Sequence, residues 1–83
     1  MSFSEIVKFI RKQYNYTQEQ FARELNVSFS TINRWENGRT VPSGLAKMQL
    51  LEYCKKNFID QLIVNELNKF WLHILFGIIN HIW

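Results

Sequence analysis

At 83 residues the chain can build one hydrophobic core with an extension, and it is too short for two independent domains. Its net charge of +3 is uneven: residues 1–56 carry nine Lys/Arg against five Glu, whereas residues 57–83 carry Lys69 against Asp60 and Glu66. The basic character belongs to the first two-thirds of the chain, where it suits a polyanionic partner. A lone Cys54 excludes an internal disulfide and fits a reducing cytosol, and between Tyr53 and Lys55 it reads as half-buried packing rather than a reactive thiol.

The opening MSFSEIVKFI lacks a basic region followed by a long apolar run, so it is expected to start a helix and not to serve as a signal peptide. Ser2 and Glu5 have capping-box spacing. Phe3, Ile6, Val7, Ile10 and Tyr14 then recur at helical intervals, which predicts an amphipathic helix over residues 3–14 ending at Asn15.

Thr17 and Gln20 form a second capping box, with Tyr16 and Phe21 spaced as a hydrophobic staple across it. Phe21, Ala22 and Leu25 give a two-turn helix one apolar face. It stops at Asn26, the residue type after glycine that best tolerates a left-handed exit. Ser28 caps a third helix over residues 29–36, Val27 and Ile32 repeat the staple, and Ile32 and Trp35 form its inward stripe before Asn37 and Gly38 end it. So short a turn cannot lay two helices antiparallel, so they cross steeply, and Ala22 lets the backbones approach. Phe29, Ser30, Asn33 and Arg34 remain outward.

Residues 39–43 form a loop punctuated by Gly38 and Pro42, and Ser43 caps a fourth helix over roughly residues 44–57. There Leu45, Met48, Leu51 and Tyr53 are expected inward and Lys47, Glu52, Lys55 and Lys56 outward. Residues 57–83 contain sixteen large apolar side chains in twenty-seven positions. Phe58, Ile59, Leu62 and Ile63 can join the domain's core through one more short helix. Phe70, Trp71, Ile74, Leu75, Ile78, Ile79 and Ile82 then line a wide stripe that needs a cover, since each large side chain left in water forgoes roughly 1.5–3 kcal/mol.

Two helices joined by a tight turn are the geometry of a helix-turn-helix reader of double-stranded DNA. Gln18, Phe21, Ala22, Leu25, Asn26, Val27, Ile32 and Trp35, followed by ENGRTVPS, resemble the lambda-repressor-like class, also called the Cro/repressor or xenobiotic-response-element type, over residues 4–56. The chain departs from it at Asn26, where the family most often has Gly. The resemblance implies an all-α, compact four-to-five-helix domain over residues 1–57, and the uncovered apolar stripe makes residues 58–83 an expected helical dimerisation segment. The resemblance also implies that Arg11 pairs with Glu36, tying the first helix to the reading helix.

By the same resemblance the third helix lies in the major groove. Phe29, Ser30, Asn33 and Arg34 would face the bases: Arg34 can grip guanine, Asn33 can read adenine, and Phe29 can meet thymine methyls. Two alternatives stay open, that Phe29 folds back over Leu25 and that Arg34 holds phosphate. Gln18, at the first turn of the second helix, suits a phosphate oxygen. Asn37, Arg39 and Thr40 look like a second phosphate clamp.

Three covers suit the apolar tail. A second copy would make a homodimer with readers about 34 Å apart, one DNA turn. A membrane is the second: the run from Phe70 spans about 21 Å as a helix, too short to cross a hydrocarbon core of roughly 30 Å, and although Trp71 and Trp83 would suit an interfacial lie, the polar side lacks the Lys/Arg-rich face that favours one. The third cover is a partner protein or the same monomer. His73 and His81 have no carboxylate or thiol at ligand spacing, so no metal site is expected, and no cofactor. No nucleophile and base pair or phosphate-cradling loop points to an enzyme. The reading is a cytoplasmic DNA-binding regulator acting as a dimeric repressor, with an antitoxin or protein-interaction module as the alternative.

Overall fold

The computed structural model describes the backbone of residues 1–82 and the side chains of residues 1–72. Five helices follow one another: α1 (Phe3–Lys12), α2 (Gln18–Leu25), α3 (Phe29–Glu36), α4 (Gly44–Lys56) and α5 (Gln61–Ile82). Their starts follow local chemistry. Ser2 Oγ accepts from the Glu5 amide while Glu5 reaches back to the Ser2 N–H, and Thr17 and Gln20 repeat the arrangement on α2. Ser28 accepts from Thr31 N at the head of α3. Ser43 makes no side-chain cap on α4, contrary to expectation.

The ends of α1 to α4 share one device. After each helix a residue enters the left-handed region, Asn15 at φ 56°, Asn26 at 57°, Gly38 at 71° and Phe58 at 53°. The following amide then bonds back five residues: Tyr16 to Arg11, Val27 to Ala22, Arg39 to Arg34 and Ile59 to Cys54, at 3.0–3.3 Å. This closes the orphan carbonyls at each helix end. Asn and Gly are the residues that adopt the conformation cheaply, and Phe58 is the exception.

α1 packs on α3 and α5, and α2 packs on α3 and α4. Between them lies one core that includes Ile6, Ile10, Phe21, Leu25, Ile32, Trp35, Leu50 and Leu67. Phe3 meets Trp35 edge-on and stacks on Phe70 at 5.0 Å, and Phe21 meets Tyr53 edge-on.

The structure corrects several expectations. α1 ends at Lys12, so Tyr14 leaves the apolar stripe and its exposed hydroxyl donates to the Asn57 carbonyl at 2.6 Å. On α4 the buried residues are Leu50, Tyr53 and Cys54, while Leu45 (72% exposed) and Met48 face outward. Tyr53 is buried as expected and Leu51 is partly buried against the core, so the expected phase fails at Leu45 and Met48. Ile59 and Ile63 join the core, but Phe58 and Leu62 do not.

The core also continues past residue 57: Leu67 is fully buried and Trp71 is 9% exposed. Phe70 and Trp71, expected to face a partner, are therefore packed within the chain, because the first half of α5 folds back on α1. Ile74, Leu75, Ile78, Ile79 and Ile82, with His73 and His81, lie outside the residues whose side chains are described. Among the described residues no helix is long and apolar enough to cross a membrane.

Candidate nucleic-acid interface

α2 and α3 meet through the left-handed turn at Asn26, with Ala22, Phe21 and Leu25 of α2 and Ile32 and Trp35 of α3 buried. Burying that side of α3 dictates what its other side offers. Phe29 is 48% exposed, and Ser30 and Arg34 are exposed beside it. Past the end of α3, Asn37, Arg39 and Thr40 are exposed in the loop.

Behind this face sits a polar assembly. Glu36, on the core side of α3, is 3% exposed. Arg11 of α1 grips it with two parallel hydrogen bonds, Nε to Oε2 at 2.7 Å and Nη2 to Oε1 at 2.9 Å. A third donor, Nη1, reaches the Tyr16 carbonyl at 2.8 Å, just before the α2 cap. The fork of Arg matches a carboxylate in both direction and charge, and these hydrogen bonds push the guanidinium pKa further up. One ion pair thus joins α1, the α2 entrance and the end of α3.

Gln18 extends the assembly toward the surface. Its Nε2 donates to Glu36 Oε1 at 3.2 Å, and its Oε1 accepts from Asn33 Nδ2 at 3.2 Å. Asn33 Oδ1 in turn accepts from Asn37 Nδ2 at 3.1 Å. Asn33, expected to stand free toward bases, is half-buried and held at both ends of its amide, and Gln18, expected at phosphate, is also half-buried and turned inward. The side chains left uncommitted on the face are Phe29, Ser30, Arg34, Arg39 and Thr40. This amide relay was not legible in the sequence, where Gln18 and Asn33 stand fifteen positions apart with no local pattern linking them.

The comparisons agree with this geometry. A Helix-turn-helix family model matches residues 7–58. The chain is 38% identical over 69 residues to the HTH-type transcriptional activator BcrR of Enterococcus faecalis, covering 80% of this chain and 32% of that protein. It is 48% identical over 46 residues to Antitoxin HigA-2 of Vibrio cholerae, covering 55% of this chain and 43% of that one. The chain therefore spans less than half the length of either relative. No solved structure matches it. With the family model covering more than half of its residues and α2 packed on α3 across the turn at Asn26, the chain belongs to the lambda-repressor-like helix-turn-helix family of DNA-binding domains.

Proposed function

We propose that the chain is a sequence-specific transcriptional regulator that lays α3 in the major groove and acts as a homodimeric repressor by occupying an operator in the cytoplasm. The observation that carries this reading is the exposed set Phe29, Ser30 and Arg34 on a helix whose inner side is fixed by Ile32, Trp35 and the buried Glu36. Arg34 takes guanine through O6 and N7. An amide has two N–H donors and two acceptor lone pairs, so Asn33 keeps one of each beyond its bonds to Gln18 and Asn37, which is what the adenine edge requires. Phe29 packs on thymine methyls and Ser30 adds an adaptable hydroxyl. Arg39, Thr40 and Asn37 hold the phosphates beyond one end of α3, and the first turn of α2 with the spare N–H of Gln18 holds them at the other.

The dimer reading draws on the outward side of α5. Leu62 and Leu72 are exposed there and border one shallow cavity of about 560 Å³ with Met1 and Lys69. The apolar sequence of residues 73–83 follows directly. Phe70 and Trp71 contribute by seating α5 against α1 rather than by facing the second copy. Selection of bound duplexes from a random pool at two salt concentrations tests both parts: two half-sites about 34 Å apart are expected, with steep salt dependence. Absence of any consensus in dilute buffer would remove the base-reading role of α3; a single unpaired half-site would remove the dimer alone.

A second reading is favoured by the identity with Antitoxin HigA-2. In it the chain binds DNA while its C-terminal apolar helix covers a partner protein. A chain that is monodisperse and dimeric alone in sedimentation supports the repressor; one that stays soluble only with a co-expressed neighbour supports the antitoxin.

A further inference from the structure

α4 leans on α2 and α5 leans on α1, and a groove lined by both α4 and α5 lies between those two helices. Two cavities occupy it, of about 390 and 530 Å³, and Leu51 walls both. The groove they form runs along α4 from Lys47 to its C-terminal end, about 14 Å from Lys47 to Lys56 at a helical rise of 1.5 Å per residue, with Phe58 just beyond. Leu51 and Val64 supply its floor, and Lys47, Lys55 and Asn68 stand along it. No carboxylate lines either cavity among the described residues. Lys47 is held in place by its ammonium lying 4.8 Å over the Trp71 ring.

At the far end stands Phe58, 93% exposed and in the left-handed conformation at φ 53°. The three comparable helix ends use Asn15, Asn26 and Gly38. A bulky ring at this position costs backbone strain and buries nothing in return, the pattern expected where a side chain is kept for an external contact.

We propose that this groove is a docking site for an acidic amphipathic helix of a partner protein, its apolar stripe against Leu51, Val64 and Phe58 and its carboxylates beside Lys47 and Lys55. The charge decides between occupants: a second copy's tail, residues 70–83, carries no acidic residue to meet the lysines, whereas an acidic helix meets both the floor and the rim. None of the groove's lining residues is among those proposed above to contact DNA.

The full chain is titrated, without DNA, against a fluorescein-labelled peptide of about fourteen residues, leucines on one stripe and glutamates flanking, and against the same peptide with lysine for each glutamate. Fluorescence anisotropy is expected to show the acidic peptide binding at least about tenfold more tightly, and Lys47→Glu with Lys55→Glu is expected to reverse that preference. Phe58→Asn is expected to weaken the acidic peptide by about tenfold with no fall in the urea unfolding midpoint, which separates recognition from folding. Equal binding of the two peptides, or binding of neither, overturns the proposal. So does displacement of a preformed dimer through these same residues, which would make a second copy the occupant. Binding to phosphatidylserine vesicles through the same lysines, with the peptide ignored, would overturn it in favour of a lipid surface. Because no DNA is present, failure here leaves the DNA-reading proposal standing.

Discussion

Arg11 and Glu36 stand 25 positions apart and meet in two parallel hydrogen bonds, 2.7 and 2.9 Å long, with the carboxylate almost wholly out of water. The pair joins α1 to the end of α3 and, through Gln18, to the first turn of α2. Glu36 also accepts from Gln18, Gln18 from Asn33, and Asn33 from Asn37, so the rotamer of the half-buried Asn33 is tied through Gln18 to a charge pair in the interior.

Removing one partner of that pair is expected to be worse than removing both. Arg11→Met leaves the Glu36 carboxylate buried and unpaired, and a loss of about 3–5 kcal/mol in urea unfolding follows. Arg11→Met with Glu36→Leu removes the stranded charge and should recover most of that loss, yet affinity for the selected operator should stay low because Gln18 loses its anchor. Equal destabilisation by the single and double variants would contradict the buried-charge account.

Arg34 and Arg39 are both exposed, but they are expected to fail differently. Arg34→Ala should weaken the selected site by about 1–3 kcal/mol and relax preference at one base pair, leaving random duplex nearly unchanged. Arg39→Ala should weaken both alike and lower the slope of log affinity against log salt by about one. Anisotropy titrations on both duplexes at several salt concentrations separate the cases; identical losses for Arg34→Ala on both would make it a phosphate ligand.

The helix starts of α1, α2 and α3 were legible in the sequence because capping is local: Ser2 with Glu5, Thr17 with Gln20, and Ser28 each act within three residues. Asn26 was legible for the same reason. The phase of α4 was legible only in part: Tyr53 was expected inward and is buried, but Leu45 and Met48 on one side and Leu50 and Cys54 on the other are all apolar, and tertiary packing decides between them. The apolar pattern of α5 was plain, but not that its first half returns to α1 and takes Trp71 into the core. At the interface, the outward stripe of α3 could be read from periodicity, whereas the amide relay through Gln18 depends on how two helices cross.

Phe58 provides a test of helix-end strain apart from any partner. Phe58→Asn puts at the α4 terminus the residue type already used at φ 56° and 57° after α1 and α2, and it removes a ring that is 93% exposed. The expected result is a gain of about 0.5–1 kcal/mol in thermal or urea unfolding, since left-handed strain of roughly 1–2 kcal/mol is relieved and little burial is lost. A β-branched replacement, Phe58→Val, should instead destabilise. A loss with Asn would show that the ring supports the fold after all.

Cys54 makes the alkaline limb of stability predictable. Burial pushes its thiol from an ordinary 9.0 to about 11, because the thiolate would be formed in the core. Below pH 9 both folded and unfolded chains keep the proton and the contribution is constant. Between pH 9 and 11 the unfolded chain releases it first, so the unfolded state binds fewer protons and stability falls as pH rises, by about 2–3 kcal/mol at 1.36 kcal/mol per pK unit once the folded thiol also titrates. Burial raises the Tyr53 phenol as well, and its hydroxyl is buried without a hydrogen-bond partner among the described residues, so it steepens the same limb above pH 10. Urea midpoints measured from pH 8 to 11.5 should therefore decline in the native chain, less in Cys54→Ala, and least in Cys54→Ala with Tyr53→Phe. Parallel declines in all three would show that neither group is titrating out of the core.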